Sequence, residues 1–78
     1  MAAFIKSLID FLKAKLFGGI EDGIFVFTDA TEALEIKVVS LADVVFVKLS
    51  YQDNDDIYTI ENQDDVDDIK ARINEYLG

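Results

Sequence analysis

The chain contains no cysteine and no histidine. Without cysteine, neither a disulfide framework nor a thiolate metal site can staple the fold, so stability must come from packing. Without histidine, the usual acid/base at neutral pH and the usual zinc ligand are both missing. Ser7, Ser40 and Ser50 stand in no recognisable nucleophile motif. Gly18, Gly19 and Gly23 lack the spacing and the lysine that a phosphate-cradling loop needs. A pair of carboxylates could serve a glycosidase, but a chain this small cannot enclose a substrate cleft as well as a core. Long apolar runs are missing too. In "MAAFIKSLIDFLKAKLFGG", Lys6, Asp10, Lys13 and Lys15 break every run before it reaches the length of a signal-peptide core. No stretch approaches the roughly 18 apolar residues of a membrane span. These absences predict an unprocessed, cytoplasmic protein that is not an enzyme and holds no cofactor and no metal.

What is present suffices for one folded domain over residues 1–78. Of the 78 residues, 51% are apolar, which argues against disorder despite the charge. Residues 3–17 read as a helix. At 100° per residue, Phe4, Ile5, Leu8, Ile9, Phe11, Leu12 and Leu16 fall within an arc of about 160°. Lys6, Asp10 and Lys13 lie opposite, and Gly18-Gly19 reads as the helix stop, with "GGIEDG" as a turn. Strands follow in "GIFVFT", "ALEIKVV", "VVFVKLSY" and "IYTIE". Alternation puts Leu34, Ile36 and Val38 on one face of their strand, with Phe25, Phe27, Val44 and Phe46 expected on the opposite face of the sheet. Short connections, including "QDNDD", favour an antiparallel meander. A second helix closes the chain, with Asn62 or Asp64 as N-cap and Val66, Ile69, Ile73, Tyr76 and Leu77 as its apolar stripe. The expected fold is α+β: a four-stranded, at fewest three-stranded, antiparallel meander between an N-terminal and a C-terminal amphipathic helix, in the order α-β-β-β-β-α.

Charge is the strongest functional signal. Residues 1–17 carry three Lys against one Asp, whereas the other 61 carry four bases against fifteen acids. "YQDNDDIYTIENQDDVDD", Tyr51 to Asp68, holds eight carboxylates and no base. It does not form a calcium loop. From Asp53 the pattern starts well, but Ile57 replaces the third oxygen ligand, Tyr58 the obligatory glycine, and Asp64 the terminal glutamate. Direct binding to nucleic acid is disfavoured, because phosphates repel so acidic a chain.

Two readings of the acidic stretch compete. A charge run is ordinarily a solvated face, and Asp64, Asp65, Asp67 and Asp68 suit the first turns of a helix, where the dipole favours negative charge. Helix capping does not account for Asp53, Asp55, Asp56 and Glu61, whose mutual repulsion destabilises a small domain. On the second helix, Asp64, Asp68 and Glu75 project within about 40° of one another, with i,i+4 positions about 6 Å apart. Such an array has the spacing of phosphates along a strand. The expected interaction site is therefore Asp53, Asp55, Asp56, Glu61, Asp64, Asp65, Asp67, Asp68 and Glu75, and the expected partner a basic protein surface. In size and charge, though in no motif, the chain resembles the class of inhibitors that phages deploy against host nucleases, CRISPR effectors among them. Two alternatives remain. The apolar sheet face could build a homodimer or an assembly, and the first helix, flanked by Lys6, Lys13 and Lys15, could lie on an anionic membrane. The membrane is the weaker of the two, because so small a domain can hardly spare its most apolar element.

Overall fold

A computed structural model describes residues 3–42 and 44–78. Helix α1 (Ala3–Lys15) leads into five strands, β1 (Phe17–Glu21), β2 (Ile24–Thr28), β3 (Leu34–Leu41), β4 (Val44–Tyr51) and β5 (Asn54–Ile60), and helix α2 (Gln63–Leu77) ends the chain. The strands form one antiparallel sheet in the order β1-β2-β3-β4-β5. The α+β class and the meander are as the sequence predicts. The sheet, however, has five strands rather than four, and the additional one is β1.

Strand β1 occupies the segment expected to be a turn. The helix ends earlier than expected, with the Leu16 N–H donating to the Leu12 carbonyl at 2.9 Å, and Phe17 already pairs with Thr28. The actual turn is the two-residue Asp22-Gly23, with φ of 52° and 81°. Two successive positive φ values match the right-handed twist of the strands they join, and glycine adopts one of them without steric cost. Gly18 belongs to the strand for a different reason. A Cβ there would fall 2.2–2.9 Å from ring atoms of Phe27, so the ring lies directly across the glycine.

Both helices cover the same face of the sheet. Ile5, Leu8, Ile9 and Leu12 of α1 and Val66, Ile69 and Ile73 of α2 are buried against Phe27, Leu34, Ile36, Val38, Val47, Leu49 and Ile60. Phe27 pairs with Ile36 and Phe25 with Val38. These two phenylalanines therefore share the covered face rather than the opposite one. The five-residue loop between β2 and β3 sets that register, and composition alone does not specify it. Val44 and Phe46 do lie on the uncovered face, opposite Leu41 and Val39. A cross-helix contact fastens the two helices: the Lys70 ammonium donates to the Ser7 hydroxyl at 2.6 Å and stands 5.6 Å over the Phe11 ring. Below it, Tyr51 and Tyr76 stack with centroids 4.2 Å apart, closing the C-terminal end of α2 onto β4.

The β2–β3 loop is organised by Asp29. Its carboxylate accepts from the Thr31 hydroxyl at 2.6 Å and from the Leu34 N–H at 3.0 Å. These hydrogen bonds, that from Thr31 foremost, hold the carboxyl below the usual aspartate range. A depressed folded-state pKa contributes stability above the unfolded value that is lost as pH falls through the folded value. The stability gap between the wild type and Asp29→Asn is therefore expected to be full at neutral pH and to close below about pH 4. Urea titrations at a series of pH values would read it, and a gap independent of pH would sink the assignment. In the same loop Glu32 holds φ at 60°, in the left-handed region where a side chain is strained. Glu32→Gly is expected to raise stability by about 0.5–1 kcal/mol, the reverse of the usual glycine effect. An unchanged or lowered melting temperature would show that the loop relaxes around the side chain instead.

Candidate interaction surface

Residues 51–78 carry nine acids against two bases, which accounts for most of the net charge of −9. The fold places them on its last two elements and the connections beside them. β5 is an edge strand, and α2, which follows it after a short connection, adds its outer face beside that edge. Asp55 and Asp56 lie within β5 and not in the expected "QDNDD" connection. The strand pleat therefore sends them to opposite sides of the sheet. Asp55 pairs with Ser50 and its carboxylate comes within 3.7 Å of the Lys48 ammonium on the uncovered face. Asp56 pairs with Leu49 and stands exposed on the helix side. Asp53 sits in the tight turn after Gln52, whose φ is 56°.

On α2 the expected site residues divide by role. Asn62 is the N-cap, its side-chain oxygen accepting from the Asp65 N–H at 3.0 Å, and the Asp65 carboxylate accepts in turn from the Glu61 N–H at 2.8 Å. This reciprocal pairing satisfies backbone donors that the helix itself leaves open. Asp65 is thereby half-buried and committed to the cap. Asp64, Asp67, Asp68 and Glu75 face solvent. Gln63 donates to Asp67 at 2.9 Å, and Arg72 stands 3.7 Å from Glu75. Tyr58, then Glu75 and Tyr76, push the Arg72 guanidinium still higher than its ordinary value. Lys70, the other base of α2, is turned inward to Ser7 and Phe11 and so does not neutralise the outer face. Eight of the nine expected site residues are thus exposed, but the sheet divides them, with Asp55 on the uncovered face and Asp56 on the helix side, and Asp65 is committed to the cap.

Other surfaces are less charged. The uncovered sheet face bears Ile24, Val26, Val39 and Phe46, half-buried, with Leu41 and Ile57 exposed. Lys37 and Lys48 face each other across its centre, beside Glu35 and Asp55. Sequence reasoning missed an apolar groove of about 630 Å³ on the covered side, where Phe4, Ile5 and Ile9 of α1 stand off from Phe25, Val38 and Val45. Its signal was Phe4, a large apolar side chain in the first turn of α1. Among the described residues no group of three carboxylates is placed to hold a metal ion, and no helix is long and apolar enough to cross a membrane. No family model, curated protein or solved structure matches this chain.

Proposed function

We propose that the chain is a binding protein whose acidic flank docks on a basic surface of a partner protein, of the kind that otherwise holds nucleic acid, and blocks it. The observation that carries this reading is the placement of six solvent-facing carboxylates, Asp55, Asp56, Asp64, Asp67, Asp68 and Glu75, on two consecutive regular elements, with Asp53 and Glu61 exposed in the connections at either end of β5. Carboxylates held on a strand and a helix form an array that does not have to be ordered on binding, so less conformational entropy opposes association. The two cations nearby, Lys48 and Arg72, stand at 3.7 Å from exposed partners, and ion pairs that loose contribute little. Most of the flank's charge therefore remains available to a partner. Repulsion within the flank destabilises the free chain, and a docked basic surface would remove that strain.

The test is a triple substitution, Asp64, Asp67 and Asp68 together to Asn, which leaves the Asn62–Asp65 cap untouched. Partner captured from the native host at low salt is expected to be lost to the variant and released from the wild type by added salt, since exposed charges are screened over about 8 Å at physiological ionic strength. Nucleic acid bound to that partner is expected to be displaced by the wild type alone. The variant itself is expected to melt no lower than the wild type, and the wild type to gain stability on adding moderate salt. Binding that ignores both salt and the triple substitution would instead point to assembly through the uncovered sheet face, where Leu41 and Ile57 are bare.

A further inference from the structure

The two edges of the sheet are built differently. Native proteins protect edge strands with charge, proline, bulges or a covering element, because an open edge is a template for another strand. β5 carries Asp55, Asp56 and a flanking Glu61 along its edge. β1, "FGGIE", has its one charge at the turn end, runs without a bulge from Phe17↔Thr28 to Glu21↔Ile24, and exposes Phe17 to 70% and Ile20 to 65%. In an antiparallel ladder every second residue of such a strand keeps its N–H and C=O for the open side. A hollow of about 350 Å³ lies beside this edge, lined by Leu16, Ile20, Phe25 and Phe27 with Lys13 at its wall.

We infer that β1 pairs antiparallel with β1 of a second copy, joining two sheets into one of ten strands about a two-fold axis. The strand is self-complementary, since an antiparallel two-fold sets Ile20 of each copy beside Gly18 of the other, and charge restricts a second copy to this edge. Two chains of net charge −9 repel wherever their acidic flanks meet, and β1 is the edge opposite to β5. Across ten strands at about 4.8 Å spacing the two β5 edges stand roughly 43 Å apart, several times the screening length of about 8 Å. No other edge-to-edge arrangement separates the acids as far. Composition then sets the register. With Gly19 on the axis, the pairs are Gly18 with Ile20 and Phe17 with Glu21 of the other copy. Each Ile20 then stands beside the partner's Gly18, which brings no side chain of its own to the seam. Gly19 has nothing within 4 Å of where a Cβ would stand, so the axis itself is unobstructed. The dimer would present its acidic flanks at opposite ends, free for two partners.

Sedimentation equilibrium up to roughly 200 µM is expected to show a reversible dimer, as befits an edge only five residues long. Ile20→Lys, which adds an edge charge at an exposed position, is expected to give a monomer with an unchanged melting temperature. The chain has no other cysteine, so Gly19→Cys is a clean reporter. It is expected to oxidise to a disulfide-linked dimer much faster than Ala71→Cys, a control on the exposed side of α2. A wild type that is monomeric throughout, a dimer that survives Ile20→Lys, or equal oxidation of the two cysteine variants would each overturn the inference.

Discussion

Gly18→Ala is expected to destabilise the fold by about 1–3 kcal/mol, whereas Gly19→Ala, one residue along the same strand, is expected to leave it unchanged or slightly more stable. The two glycines differ only in what lies over them. At Gly18 the added methyl group would enter the Phe27 ring, with its nearest ring carbons at 2.2, 2.5 and 2.9 Å. That ring has little room to swing aside: Phe27 is 2% exposed, pairs with Ile36 and belongs to the common core. Either the ring leaves its rotamer or β1 moves away from β2, and both break packing. At Gly19 the methyl group meets open space, and alanine restricts the unfolded chain more than glycine does. Urea unfolding of the two variants reads the difference directly. Adding Phe27→Leu to Gly18→Ala removes the obstructing ring, so the double variant is expected to be less destabilised than the sum of the singles. Equal stability of the two alanine variants would mean that the ring does not seat on Gly18.

This same pair of residues marks the limit of what the sequence discloses. Gly18-Gly19 after an amphipathic run has the form of a helix stop, yet the helix ends earlier, at Lys15, and both glycines lie within β1. Glycine in a strand gives no positive signal, since it lacks the side chain from which alternation is read. The legible signal lay further on. Asp22-Gly23 between Ile20 and Ile24 is a two-residue hairpin sequence, and it implies a strand on each side. β3 and β4 are plain from their alternation and the α1 stripe from its period, while residue type narrows the α2 cap to Asn62 or Asp64 and the hydrogen bond to the Asp65 N–H decides for Asn62. Which face β2 would present is not plain, because one residue more or less in the Asp29–Ala33 loop turns Phe25 and Phe27 over.

The acidic surface divides in the same way. Its existence is a matter of composition, and Asp64, Asp68 and Glu75 fall on one helical face by period alone. How the charges are spent depends on tertiary contacts. Asp65 disappears into the cap, since it sits three residues after Asn62 with its backbone N–H in reach of the cap oxygen. Asp55 and Asp56 part company because β5 begins at Asn54. Lys70, adjacent in sequence to Ile69 and so close to the core stripe, finds Ser7 at the other end of the chain, a pairing no local pattern announces.

Leu12→Asp is expected to abolish cooperative folding altogether, and this result separates the two uses open to α1. An amphipathic helix with Lys6, Lys13 and Lys15 on its flanks could in principle lie on an anionic membrane. In the fold its apolar side is already occupied. Leu8 and Leu12 are wholly buried, Ile5 and Ile9 nearly so, all in the core shared with α2 and the sheet. A domain of 78 residues has a total stability of roughly 4–12 kcal/mol. Placing a carboxylate without a partner at Leu12 costs several kcal/mol through desolvation, besides the apolar contacts that are lost. The neighbouring Lys13→Asp, on the exposed side, is expected to fold with a small change in melting temperature, so the effect is one of position rather than of charge. Circular dichroism melts of the two variants, together with flotation of the wild type on anionic phospholipid vesicles, form the measurement. A membrane helix would give the opposite pattern: wild-type chain floating with the vesicles, and a Leu12→Asp chain that melts normally but no longer floats. The burial of Leu12 predicts that the wild type stays off the vesicles, because the helix cannot reach a bilayer without exposing the sheet it covers.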